Sequence, residues 1–120
     1  MIVHDSSALL AFLQGEDGAT TVENELPRSF VSSANWSEVA QKVSARGADW
    51  EIARTLLLSY DISIEPVTLV DAEEAARLWQ PNSELSLADR LCLALTDRLN
   101  ARVLTADRAW GESDRIQQIH

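Results

Sequence analysis

Residues 1–14 read MIVHDSSALLAFLQ: an apolar run, an acid, two hydroxyls, and then a helical pattern that stops at Gly15. Residues 1–4 are short, apolar and bounded by Asp5, which predicts a strand; residues 6–14 predict a helix. The same alternation continues along the chain. Residues 20–26 read as a short helix ended by Pro27, and 29–33 as a strand. Residues 35–45 place Trp36, Val39, Ala40 and Val43 at helical spacing, with Gly47 just past the end. Residues 49–60 form another helix, 62–67 alternate like a strand, and 71–79 form a helix closed off before Pro81. The longest helix is expected over 86–99, nearly continuous in apolar residues from Leu91 to Leu95 and hence central. Strands are expected over 101–104 and 116–119. Strands alternating with helices argue for a mainly parallel sheet covered on both faces, an α/β sandwich in one domain spanning 1–120.

Composition agrees. A chain of 120 residues with 46% apolar residues and a mean hydropathy of -0.11 can build one sizeable core. Its longest apolar stretches are too short to cross a bilayer, no basic leader precedes an apolar one, and the lone Cys92 rules out an internal disulfide. A single soluble, cytoplasmic domain is expected. Ten basic residues against nineteen acidic give a net charge of -9, and only Lys42 is a lysine. Such a chain has no broad basic face for coating nucleic acid. Contact with phosphates would need a few arginines or bound metal ions; a basic protein partner is the other reading, and simple solubility the plainest.

In parallel sheets ligands gather beyond the carboxyl ends of the strands. Asp5 follows the first strand, Glu38 lies one turn into the helix after the second, Asp107 follows the strand over 101–104, and Asp89 lies in the first turn of the long helix. Each has a purely structural alternative. Asp5 can cap a helix; Asn35–Glu38 and Ser86–Asp89 fit capping boxes; Asp107 can cap a turn after Thr105. Asp71 has the same credentials and serves as a control. Together, several carboxylates at one sheet edge repel one another, and a hard divalent cation such as Mg²⁺ or Mn²⁺ relieves that repulsion. Two such ions activate water and stabilise the leaving oxygen of a phosphodiester.

At these residues the chain resembles the PIN-domain ribonucleases, specifically the toxin component of VapBC toxin–antitoxin modules. The resemblance runs from MIVHDSSALLAFL through NWSEV to SLADRLCLAL and LTADRAW. It implies a PIN-like α/β/α sandwich. It also implies Mg²⁺-dependent cleavage of RNA by water activated at a site holding Asp5, Glu38, Asp89 and Asp107, with Ser6, Ser7 and Thr105 in support and Mn²⁺ as a substitute ion. A cognate antitoxin, with a basic side chain plugging the acidic pocket and apolar contacts near Trp36 and Trp50, and a homodimer are the partners expected, with no membrane involved. His4 departs from the pattern, standing where an apolar residue is expected; it reads as a partly buried strand-end histidine.

The remaining residues have plainer expectations. Cys92 reads as a buried, inert thiol, and Trp36, Trp50, Trp79 and Trp110 as core or interface. Arg90 and Arg108, each beside a candidate acid, are the arginines best placed to meet an RNA phosphate. A phosphoacceptor receiver domain is excluded because no acid follows Asp5 and the only lysine lies on an early helix. A serine or cysteine hydrolase lacks both a nucleophile elbow and a second internal histidine. A non-catalytic interaction module on the same fold is the alternative that the four acids argue against.

Overall fold

The computed structural model describes all 120 residues. In chain order the elements are β1 (Ile2–His4), α1 (Ser6–Gln14), α2 (Ala19–Glu25), β2 (Phe30–Ser32), α3 (Ser33–Ala45), α4 (Trp50–Leu58), β3 (Ser63–Glu65), α5 (Leu69–Arg77), α6 (Leu87–Arg98), β4 (Arg102–Thr105), a 3-10 turn (Arg108–Trp110) and β5 (Ile116–Gln118). The strands form one fully parallel sheet in the order β3-β2-β1-β4-β5. The first strand is therefore the middle one, with Val3 registered against Phe30 on one side and Val103 on the other.

Successive side chains on a strand face opposite ways, so this sheet has two cores. Leu104 joins Leu9, Val22, Val39 and Leu57 in a cluster of thirteen buried residues on one face. Val3 and Val103 join Cys92, Leu95 and Trp110 in a cluster of six on the other. The expected α/β/α sandwich is the fold observed, and α6 packs on β1, β2 and β4 as its apolar run requires. No helix is long and apolar enough to cross a membrane.

Element boundaries move by at most two residues, and the caps explain the shifted helix starts. Ser32 accepts a hydrogen bond from the Ala34 amide at 3.2 Å, so α3 begins at Ser33. Asn35 therefore lies inside the helix, and the expected Asn35–Glu38 capping box does not form. Thr68, not the strand end, starts α5: its hydroxyl accepts from the Asp71 amide while the Asp71 carboxylate accepts from the Thr68 amide.

His4 is a second correction. It is completely buried rather than partly so, registered beside Leu104 under the end of α2. Its Nε2 donates to the Glu25 carbonyl at 3.1 Å, and burial lowers its pKa to about 4 despite that bond. A neutral imidazole thus ties the central strand to the first crossover.

Gly18 marks the tightest approach. It has φ +89°, and a Cβ there would lie 2.6 Å from Cγ1 of Ile119, the residue following β5. Gly15 is also left-handed (φ +63°) but faces open space. Gly15→Ala should therefore cost only left-handed strain, about 1 kcal/mol, and Gly18→Ala that plus displacement of Ile119, about 2 kcal/mol or more. Urea denaturation of both variants checks this; equal losses would show that Ile119 yields freely.

Candidate active site at the carboxyl end of the sheet

Asp5 is the best-held carboxylate in the chain. It caps α1, is buried, and accepts from the Ala8 amide at 2.8 Å and from the Ser7 hydroxyl at 2.7 Å. Thr105, one hundred residues on, donates its hydroxyl to the other oxygen at 2.5 Å. Both hydroxyls are themselves fed by backbone amides of the loop after β4: Ala106 N donates to Ser7 at 2.8 Å and Asp107 N to Thr105 at 3.0 Å. Two relays, amide to hydroxyl to carboxylate, thus fix Asp107 relative to Asp5. The hydroxyls that reach Asp5 are those of Ser7 and Thr105; Ser6, expected beside them, is not among its donors.

The other three acids share a pattern. Asp89 completes a capping box with Ser86, accepting from the Ser86 amide through Oδ2 at 3.0 Å. Glu38 accepts through Oε1 from Asn35 Nδ2 at 2.9 Å. Asp107 accepts through Oδ1 from the Ala109 amide at 2.9 Å and caps the 3-10 turn. Each engages one oxygen locally and leaves the second without a protein donor. Capping and ligand binding are consequently compatible for these acids, because the two uses fall on different oxygens.

Their charges meet. Burial raises the Asp89 pKa, and repulsion from Glu38 and Asp107 adds to it against the pull of the Ser86 cap. Burial raises Asp5 to about 6 over the opposing bonds from Thr105, Ala8 and Ser7, with Asp89 adding repulsion. Burial, followed by Asp5, Asp89 and Glu38, keeps the Cys92 thiol well above its usual range and therefore protonated and inert. No three acidic, histidine or cysteine side chains lie close enough to form a ready-made metal cage.

None of the four has a cation. The ion pairs of the chain are Arg77–Glu74, Arg98–Asp71 and Arg115–Asp97. Asp71, the control, is thereby separated from the group. Burial would raise its pKa, but Arg98, which reaches both oxygens at 2.8 and 3.2 Å, and the Thr68 cap hold it below the usual range. An oxygen-only set of uncompensated carboxylates with free lone pairs fits a hard divalent cation. His4 is fully buried with Nε2 on the Glu25 carbonyl, and an imidazole is a poorer partner than a carboxylate for a hard cation.

Two residues change role. Asn35 is fully buried and holds Glu38 from within α3, a function the sequence shows only as an i, i+3 Asn–Glu spacing. Arg90, expected at a phosphate, instead donates Nη1 to the Ala75 carbonyl at 2.7 Å and ties α6 to α5. Arg108 is exposed, as expected. Trp36 and Trp50 stack edge to face, centroids 5.1 Å apart, against the larger core; Trp110 is buried, whereas Trp79 is exposed.

Comparison with known proteins bears on this arrangement. The family model for the PIN domain matches residues 2–116. A toxin–antitoxin complex from Klebsiella pneumoniae contains a chain with the same fold: TM-score 0.81, 18% identity, 100% of this chain and 98% of that one covered. Mycobacterium tuberculosis VapC20, described as a toxin that cleaves the sarcin–ricin loop, superposes with TM-score 0.70 at 18% identity over 95% and 92% of the two chains. At these identities the likeness is one of fold. No curated protein matches the sequence.

Two predictions follow from the buried charges. Asp5 titrates higher in the folded state, so its contribution to stability is full below pH 4 and is lost as pH rises through about 6. His4 titrates lower, so its contribution is full above pH 6.5 and is lost as pH falls towards about 4. Each amounts to about 3 kcal/mol with opposite sign, and in the wild type they offset each other. Asp5→Asn should therefore steepen acid destabilisation between pH 6.5 and 4, and His4→Gln should reverse it; matching pH profiles for all three proteins would refute the pairing. The second contrast is between acids. Asp89→Asn should preserve or raise the melting temperature without metal and lose most of the gain produced by Mg²⁺ or Mn²⁺. Asp71→Asn should cost about 1–2 kcal/mol without metal, since Arg98 loses a buried partner, and keep the metal response.

Proposed function

The chain belongs to the PIN-domain family, and on that footing we propose that it is a metal-dependent endoribonuclease of the toxin class, held in check by a cognate antitoxin. The observation that carries this reading is the group of four acids without a cation at the carboxyl end of the sheet, set against Asp71, whose charge is answered by Arg98. An interaction module would gain nothing from four uncompensated carboxylates, whose repulsion costs it stability.

Asp5, Glu38, Asp89 and Asp107 would hold the ions, with Asp5 and Asp89 the closest ligands. When bound, Mg²⁺ or Mn²⁺ supplies the positive charge that acidifies an attacking water and offsets the charge gathering on the phosphodiester. The chain's own part is positioning. Ser7 and Thr105 hold the Asp5 carboxylate in one orientation, and their relays set Asp107 beside it. Asn35 fixes the Glu38 carboxylate, and Ser86 fixes that of Asp89. Each carboxylate is thus oriented on its own element, and an ion would draw the oriented groups together.

The same reading takes the antitoxin and a second copy of the chain as partners. A group of four acids attracts a guanidinium, which would exclude both metal and RNA. Support for the partner is the toxin–antitoxin complex of the same fold.

Cleavage mapping on total cellular RNA, with Mg²⁺, Mn²⁺ or EDTA, tests the reading. Asp5→Asn and Asp89→Asn should each lose about 2 kcal/mol or more of transition-state stabilisation, hence well over tenfold in cleavage. Asp71→Asn should cleave normally once folded. Full activity in either site variant would sink the assignment, and absence of metal-dependent cleavage by the wild type would favour the interaction module.

A further inference from the structure

Five of the ten basic residues have a hydrogen-bonding partner: Arg77, Arg90, Arg98, Arg102 and Arg115. Of the five that have none, Arg28 and Arg54 stand apart, while Lys42, Arg46 and Arg108 line one cleft of about 420 Å³. All three are exposed. Glu16, Asp17 and His120 also line it, so among its Lys, Arg, Asp and Glu side chains three cations face two acids, in a chain whose overall balance is ten against nineteen.

Local structure does not account for the gathering. Lys42 and Arg46 lie four residues apart at the end of α3, where like charges repel. The carbonyl end of the helix compensates for cations placed there, yet Arg108 comes from the 3-10 turn after β4 and lies outside that helix's last turn. Chain segments sixty residues apart thus bring charge to one place where no carboxylate pairs with it. A local rule broken without gain to the fold points to a ligand.

The cleft also has a fixed neighbour. Ser7 and Ala106 line it, and these are the residues through which the loop after β4 is coupled to Asp5. Arg108 directly follows Asp107. One wall of the cleft is therefore the back of the carboxylate site.

We propose that Lys42, Arg46 and Arg108 form a phosphate track that holds a single RNA strand on one side of the scissile bond. This rests on the ribonuclease reading and extends it to how the strand lies. The site becomes two-part: carboxylates answer one phosphate through a metal, and three side chains answer its neighbours directly. Flexible cations on one flank bind backbone rather than bases, so the track supplies affinity and direction without sequence preference.

The test uses the full chain carrying Asp5→Asn, so that RNA stays intact, and a fluorescent mixed-sequence single-stranded RNA of about twelve nucleotides. Binding is measured across a salt series, without metal, for this protein, for Lys42→Gln/Arg46→Gln/Arg108→Gln added to it, and for Arg28→Gln/Arg54→Gln as control. None of these side chains has a partner, so melting curves should coincide. The track variant should bind at least about tenfold more weakly, with the slope of log K against log salt shallower by about 2, as loss of three phosphate contacts on a single strand requires. The control should bind like its parent. Equal binding by track variant and parent, or no RNA binding by the parent, would overturn the proposal. So would competition by polyglutamate as strong as that by unlabelled RNA, which would assign the cleft to an acidic polypeptide. Cleavage of total RNA by the wild type is read separately: its absence counts against the ribonuclease reading, while the binding series still decides the track.

Discussion

The contact on which the structure turns is the hydrogen bond from Thr105 to Asp5. It joins the end of β1 to the end of β4, the two strands at the middle of the sheet, and it lies where α1 begins. A carboxylate buried this thoroughly needs donors to stay charged, and here they come from the end of β4 and from its own helix. The arrangement is therefore at once a helix cap, a strand clamp and the fixed point of the candidate site. Position 105 needs a hydroxyl, because an alkyl side chain there would take one donor from Asp5 and leave the Asp107 amide without its acceptor.

The neighbouring His4 gives this centre its balance. An imidazole and a carboxyl side by side in the chain, both withdrawn from water, favour their neutral forms for the same reason and respond to acid in opposite directions. Because the two shifts are opposite in direction, each residue offsets the other's pH dependence.

Fold and acids were legible in the sequence to different depths. Strand and helix order could be read because each apolar run has one period and each ends at Gly, Pro or a hydroxyl; the misplaced helix starts came from Ser32 and Thr68, where several Ser, Thr and Asn residues compete to cap and only backbone geometry chooses. That Asp5, Glu38, Asp89 and Asp107 face one end followed from parallel topology. That Asp71 does not belong with them could not be read, since the difference lies in Arg98, twenty-seven residues away. Arg90 and Arg108 looked alike beside their acids, and only the packing of α6 on α5 turns one inward to Ala75. His4 was misjudged for a related reason: no local pattern announces that the end of α2 will cover it.

The middle of the sheet is built from segments about a hundred residues apart. β1 is made before the other strands of the sheet, yet its neighbour β4 emerges about a hundred residues later. Until then β1 lacks one side of its sheet, the smaller core lacks Val103, and Asp5 lacks Thr105. A nascent chain that ends before Asp107 cannot assemble the four acids, whatever helices it has formed. Vectorial synthesis thus acts as a timer: translation must pass Asp107 before the acidic group can exist at all.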